Sequence, residues 1–195
     1  MPRSKRIIEH GTPHHITQRG NYKQQVFEDE KDYSIYLNIF EQYRKEYNLS
    51  IVAYCLMPNH VHFIAIPLDG ASLAQTFKLS HMRYSQYFNN KHCAKGQLWQ
   101  GRYYSCVLDE KHFQAAVRYV ENNPVRASLA KKAQEWQWSS ARAHLGINQG
   151  LISLKDISDL FSVQKWETYL DEDEDKETID IIRKYTKTGK SLKTR

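Results

Sequence analysis

His60-Val61-His62 is the segment in which residue type and spacing most directly suggest chemistry. It lies in a β-branched and apolar run that reads as a strand. Side chains alternate across a strand, so residues two apart share a face. Val61 then points into a core, and the two imidazoles stand side by side on the opposite face. That is a geometry for two ligands on one cation. The plainer alternative is a half-buried strand whose polar face happens to carry two histidines.

The second segment is Tyr119-Val120-Glu121-Asn122-Asn123-Pro124. Phe113, Ala116, Val117 and Val120 recur at the spacing of a buried helical stripe. Tyr119 and Asn123 are one turn apart on a common side, at the border of that stripe. A border tyrosine buries its ring edge and presents its hydroxyl to a cleft. The carbonyl oxygen of Asn123 is a fair ligand for a hard cation such as Mg2+ or Mn2+. The ordinary alternatives are a packing tyrosine and a helix stop before proline.

The third segment is Gly96-Gln97-Leu98-Trp99-Gln100-Gly101-Arg102-Tyr103-Tyr104. It offers Trp99 to stack on a base and Arg102 to hold a phosphate. It reads equally as an aromatic loop tucked over a sheet edge. Trp136 and Trp138 read as core residues.

The elements that must position these side chains read as mixed α/β. Residues 14–18 form a short strand and 29–47 a helix with aromatics at three- and four-residue steps. Residues 49–56 and 60–66 form a hairpin around Met57-Pro58-Asn59, with Asn59 suited to positive φ. Residues 72–88 form a helix with Ser72 as its N-cap. A loop and strand follow over 98–108. A helix over 110–122, capped by Asp109, ends at Asn123-Pro124. This order suits an α+β fold: an antiparallel sheet with helices packed on one face, the ferredoxin-like split βαβ arrangement.

The 195 residues allow one domain with a sizeable core. The net charge of +6 and pI near 9.1 favour a polyanionic partner only weakly. Residues 151–195 hold 9 Lys and Arg against 10 Asp and Glu, so residues 1–150 carry a net +7 and all nine histidines. Residues 1–150 are therefore expected to be the working domain, and 151–195 a charged, mostly helical, partly solvated tail. Three unpaired cysteines fit a reducing compartment. No apolar run reaches membrane-spanning length, and the basic N-terminus lacks the apolar stretch of a signal peptide. A cytoplasmic protein is expected.

Together these segments resemble the single-tyrosine HUH transposases, and within them the REP-associated tyrosine transposases and related insertion-sequence transposases. The resemblance runs through residues 11–21, 54–62, 98–103 and 118–127 in that order and covers most of residues 1–145. It implies an antiparallel sheet with flanking helices. It implies that His60 and His62 bind a divalent ion, that Tyr119 is the nucleophile, and that Asn123 completes the metal site where the family often has glutamine. It further implies cleavage and rejoining of single-stranded DNA through a 5′-phosphotyrosine, at a short hairpin with a guide sequence beside it. Monomers and homodimers are both compatible with it. No motif of the family falls in 151–195.

A free phenol titrates near pH 10, so a tyrosine nucleophile needs both a nearby cation and good placement. A basic domain with interleaved aromatics suits an unpaired strand better than a duplex groove. Arg19, Lys78, Arg83, Arg102 and Arg126 are the candidate backbone contacts. One rival reading is a non-catalytic single-stranded nucleic-acid-binding module on the same scaffold, which would place aromatics where His60 and His62 stand. Larger replication initiators and relaxases share the histidine pair but carry a further module. A zinc hydrolase would need a third ligand, for which His14 or His15 could serve.

Overall fold

The computed structural model describes residues 7–158, 162–188 and 191–192. The element order is β1 (His14–Arg19), α1 (Glu30–Glu46), β2 (Leu49–Met57), β3 (His60–Pro67), α2 (Ser72–Lys91), β4 (Tyr104–Val107), α3 (Glu110–Glu121), α4 (Asn123–Arg126), α5 (Ala141–His144), α6 (Val163–Asp171) and α7 (Lys176–Thr188). The strands form one antiparallel sheet in the order β2-β3-β1-β4. This is the α+β arrangement read from the sequence. None of the described helices is long and apolar enough to cross a membrane.

Helices cover both faces of the sheet, not one. Val61, Phe63 and Ala65 of β3 pack into a core with Phe40 of α1 and Phe77 of α2. Ile64 and Ile66 of the same strand pack on the other side with Ala116, Val117 and Val120 of α3. The reason lies in the strand sequences: β2 and β3 are apolar at nearly every position, the pattern of a strand buried on both faces. Apolar burial at about 25 cal/mol per Å² rewards covering both.

The described residues after 150 join both cores: Ile152 and Leu154 pack on the first, and Ile157, Trp166, Leu170, Ile182 and Leu192 on the second. Trp166 of α6 and Ile182 of α7 are fully buried, and Leu170 nearly so. Leu154 bridges to Ile51 of β2 and Leu192 to Leu108 just after β4, so each outer strand is met at one point. Sheet edges left bare invite pairing with other chains. Most of the charges after residue 150 face solvent, while the apolar stripes there pack against the rest of the described residues.

Three local readings also change. Ser72 is the first residue of α2 and not its cap; Asp69 Oδ1 accepts from the Ala71 and Ser72 amides at 2.8 and 2.9 Å. The loop and then strand read over 98–108 are present as a loop over 98–103, attached through a Gly20–Trp99 bridge, and a strand over 104–107. Asn123-Pro124 does not end the helical path but restarts it: Pro124 sits in the first turn of α4, where its missing N–H has no cost. Asn59 is not among the residues with positive φ.

Candidate metal and nucleophile site

Strand alternation sets the site. His60 and His62 project from the β3 face that carries Ile64 and Ile66, with ring centroids 5.0 Å apart. His15 of β1 stands opposite Ile64 in the register and also faces this side. Its ring stacks on that of His62 at 5.2 Å, 7° from parallel. Helix α3 lies over β2 and β3 and lowers Tyr119 onto the pair. The Tyr119 ring meets His62 and His15 edge-on, with both centroid distances 5.7 Å. Tyr119 and His62 are each 6% exposed.

The turn before β3 is clamped by β1 and the loop after it. Gly20 donates to Asn59 O at 2.8 Å, and Val26 and Phe27 donate to Pro58 O at 2.8 and 3.1 Å. Only glycine fits at position 20: a Cβ there would lie 2.4 Å from Gln24 O and 2.8 Å from Val26 Cγ1. Asn59 Nδ2 donates to Lys23 O at 3.2 Å, and its Oδ1 lies 2.6 Å from His60 Nδ1. Behind His62, its Nδ1 lies 2.9 Å from His15 Nε2, and His15 Nδ1 lies 2.6 Å from Thr186 Oγ1 of α7. His15 thus backs His62 by hydrogen bonding and does not stand beside it as a third ligand.

All three imidazoles are neutral at ordinary pH. Burial lowers His15 to about 3, with Arg126 adding to the effect. Burial lowers His60 to about 4, helped by the Arg19 charge. Burial takes His62 far below its usual value, with His60, His15, Arg126 and Arg19 contributing in that order. Neutral rings keep a lone pair for coordination.

Two neutral imidazoles suit a borderline or hard divalent ion, and an amide oxygen would extend the set. Asn123, on the turn after Tyr119, is buried, and its Nδ2 donates to Val120 O at 3.2 Å, so the oxygen is the end not tied to the helix. Cys55 and Cys106 are buried on the same side of the sheet, but burial raises both thiols, Cys106 to about 11. They are not thiolate ligands at neutral pH. Among the described residues, no three His, Cys, Asp or Glu gather as a metal cluster.

Arginines surround the phenol. The Arg126 guanidinium lies 4.2 Å from the Tyr119 ring centroid and pairs with both Glu174 oxygens at 2.6 Å. The Arg183 guanidinium of α7 lies 5.9 Å from the Tyr119 ring centroid, and the phenol beside it raises the arginine above its ordinary pKa. Arg19 is exposed at the end of β1, opposite His60 in the register.

The other expected DNA contacts lie elsewhere. Lys78 and Arg102 line a groove of about 730 Å3 between α2 and residues 96–103, on the side of the first core. Arg83 is exposed on α2 and donates to the Tyr43 hydroxyl at 3.3 Å. Trp99 also lines the groove but is only 6% exposed: its ring stacks on His81 at 4.5 Å and its Nε1 donates to His81 O. The expected open platform for a base is thus a ring already packed against a histidine. Asn59, Thr186 and Arg183 were not singled out as site residues by sequence, and His15 only as a third ligand in the rival zinc reading. The alternation of β1 did place His15 on one sheet face, but nothing local marked which face β3 would share.

The chain matches the family described as "Transposase IS200 like" over residues 10–123. That span contains His60, His62, Tyr119 and Asn123. Among solved structures it resembles the REP-associated tyrosine transposase bound to a REP hairpin: TM-score 0.60, 20% identity, covering 84% of this chain and 96% of that one. It also matches a protein from Deinococcus radiodurans R1, assigned provisionally as a transposase, at TM-score 0.43 and 19% identity, covering 63% and 97%. The second likeness is too low to carry an argument, and the first bears on fold alone. No curated protein matches. With the family matched over more than half its length, this chain belongs to the IS200-like transposases.

Proposed function

We propose that this transposase cleaves and rejoins single-stranded DNA, with Tyr119 as nucleophile and His60, His62 and Asn123 as ligands of Mg2+ or Mn2+. The observation that carries the reading is the convergence of the Tyr119 phenol and two neutral imidazoles on one buried patch of the sheet. A divalent ion bound there supplies charge to polarise the scissile phosphate and offset its developing negative charge.

The chain's own residues do the rest. Tyr119 Oη attacks phosphorus, the P–O3′ bond breaks, and the phenolic proton is balanced by protonation of the departing 3′-oxygen. The product is a 5′-phosphotyrosine and a free 3′-hydroxyl. Because the phosphodiester is conserved, a 3′-hydroxyl can reverse the step and join strands. Arg183 stands beside the phenol as a cation, and Arg126 fixes its ring. Arg19, at the rim beside His60, is placed to hold a flanking phosphate.

The structural relative is bound to a REP hairpin, and a hairpin-containing single strand is the proposed substrate here. Lys78 and Arg102 would hold backbone along the α2 groove, with Arg83 on the same helix. The same groove would serve a non-catalytic nucleic-acid-binding module, but such a module gives no reason for two neutral imidazoles beneath a buried phenol. In a cleavage assay with Mn2+ and a single-stranded hairpin oligonucleotide, Tyr119→Phe should retain binding and lose cutting. Cutting at the wild-type rate would remove Tyr119 from the reaction.

A further inference from the structure

We infer that His15 and Thr186 are positioning residues that fix the tautomer of His62, so that its Nε2 carries a bare lone pair toward the cation site. The inference rests on His60 and His62 being metal ligands and adds what prepares them.

One hydrogen-bond chain, counted proton by proton, sets the tautomer. The Thr186 hydroxyl has a single proton, and it donates this to Ile182 O, one turn back in α7, at 2.8 Å. Such a back-bond is a habitual resting place for a helical threonine hydroxyl. Thr186 Oγ1 must then accept from His15 Nδ1, 2.6 Å away. Cys106 Sγ, at 3.4 Å, is at most a weak second donor to the same oxygen. A neutral His15 has one ring proton, now on Nδ1, so its Nε2 is an acceptor. The atom 2.9 Å from that Nε2 is His62 Nδ1, which must donate. Neutral His62 has spent its only ring proton, and its Nε2 is left unprotonated.

His60 reaches the same state by a shorter route. Asn59 Nδ2 donates to Lys23 O, which fixes the amide orientation. Its Oδ1 therefore accepts from His60 Nδ1 at 2.6 Å, again leaving Nε2 bare. Two neighbouring imidazoles, 5.0 Å apart, are each tied back through Nδ1, which leaves the same nitrogen, Nε2, bare on both. Metal-binding histidines are commonly held by a partner on the second ring nitrogen, and loss of that partner costs about 10- to 100-fold in metal affinity.

The chain can also run the other way. If Thr186 turned its proton to His15 Nδ1, His15 Nε2 would carry hydrogen, His62 Nδ1 would accept, and His62 Nε2–H would close the ligand position. The Ile182 carbonyl decides between these two states, so a residue of α7, outside the matched family span, sets the readiness of β3.

The direct experiment is a proton–nitrogen correlation spectrum of the histidine rings in the metal-free wild-type protein, with His62 assigned by comparison with His62→Gln. Protonated Nδ1 and bare Nε2 on His62 are expected; a protonated Nε2 overturns the inference. Mn2+ titration followed by paramagnetic broadening gives the second readout. Thr186→Val should weaken Mn2+ binding by about 10-fold or more, and Thr186→Ser should restore it. Equal affinity in all three proteins also overturns the inference. If Thr186→Val does not fold, the wild-type spectrum decides. His60→Ala separates the two layers: undiminished Mn2+ binding in that variant would reject the metal site itself, whereas the tautomer would still be read from the spectrum.

Discussion

Arg126 lies over the ring of Tyr119, 4.2 Å from its centroid, while its guanidinium is held by both oxygens of Glu174. The proposed nucleophile is thus stacked beneath a cation that is tied, in turn, to the segment between α6 and α7. This ion pair is largely shielded, with side-chain exposures of 18% and 15%. Its loss would therefore be felt at Tyr119 and not only at the surface.

Releasing Arg126 should change how the protein meets a phosphate backbone. In Glu174→Gln the guanidinium loses its carboxylate partner and becomes available to DNA. Each added phosphate contact steepens the salt dependence of single-strand binding by about 0.7 in log–log slope. Binding of a single-stranded oligonucleotide measured from low to high salt should show that increment. An unchanged slope would mean that Arg126 stays on Tyr119 whatever Glu174 does.

The segment after residue 150 should behave as part of the fold. Glu121 is fully buried, and its carboxylate accepts from Ser140 Oγ at 2.5 Å, His144 Nδ1 at 2.6 Å and Trp166 Nε1 at 2.9 Å. Trp166→Phe keeps an aromatic side chain but removes one donor from a buried carboxylate and some buried volume. That should cost about 1–3 kcal/mol in urea unfolding, within a single transition. A separate early transition for the C-terminal helices would show that they fold independently.

A buried histidine outside the proposed site should make the fold acid-sensitive. Burial lowers His81 to about 3, and its Nε2 lies 3.1 Å from the Tyr36 hydroxyl. Above pH 6.5 the ring is neutral in both folded and unfolded chains and costs nothing. Below pH 6.5 the unfolded chain takes up a proton that the folded chain refuses. Stability then falls with pH, by about 1.4 kcal/mol per unit for this one group, until about pH 3. Unfolding free energy measured from pH 7 to pH 4 should lose part of its slope in His81→Gln. An identical slope would show that His81 protonates without unfolding the chain.

Metal and DNA should help each other bind. Arg19 and Arg126 both act on His62, and both are positive. Cations beside a divalent ion oppose its entry until a phosphate arrives to offset them. In Tyr119→Phe, which binds without cutting, Mn2+ should bind more tightly when a single-stranded hairpin oligonucleotide is present. By linkage the oligonucleotide should gain by the same factor from Mn2+. Independence of the two would indicate that the scissile phosphate does not reach the histidines.

The sheet, its antiparallel pairing and the helix bearing Tyr119 were legible because each rests on local signals. Strand alternation put His60 and His62 on one face, and the Phe113–Val120 stripe put Tyr119 at the edge of a core. What local pattern did not reveal was what covers what. The double-sided burial of β2 and β3 was written in their mostly apolar runs, yet the helix that covers β1 and β4 comes from residues 176–188, far along the chain. Thr186 and Arg183 carry no motif; they matter because α7 lands on His15 and Tyr119. Trp99 looked like a base platform because glycines flank it. His81, a helical turn beyond Phe77, takes its ring instead. Asn59 was read for its backbone, whereas its side chain holds His60.

The most direct measurement is the chemical identity of the cleaved product. The wild-type protein is incubated with Mn2+ and a single-stranded hairpin oligonucleotide, digested, and the peptides analysed by mass spectrometry. A peptide carrying the 3′ DNA fragment through a 5′-phosphate on Tyr119 is expected, absent from Tyr119→Phe. Attachment at Tyr103 or Tyr104, or strand cleavage that proceeds in Tyr119→Phe, would contradict a mechanism built on the phenol above His60 and His62.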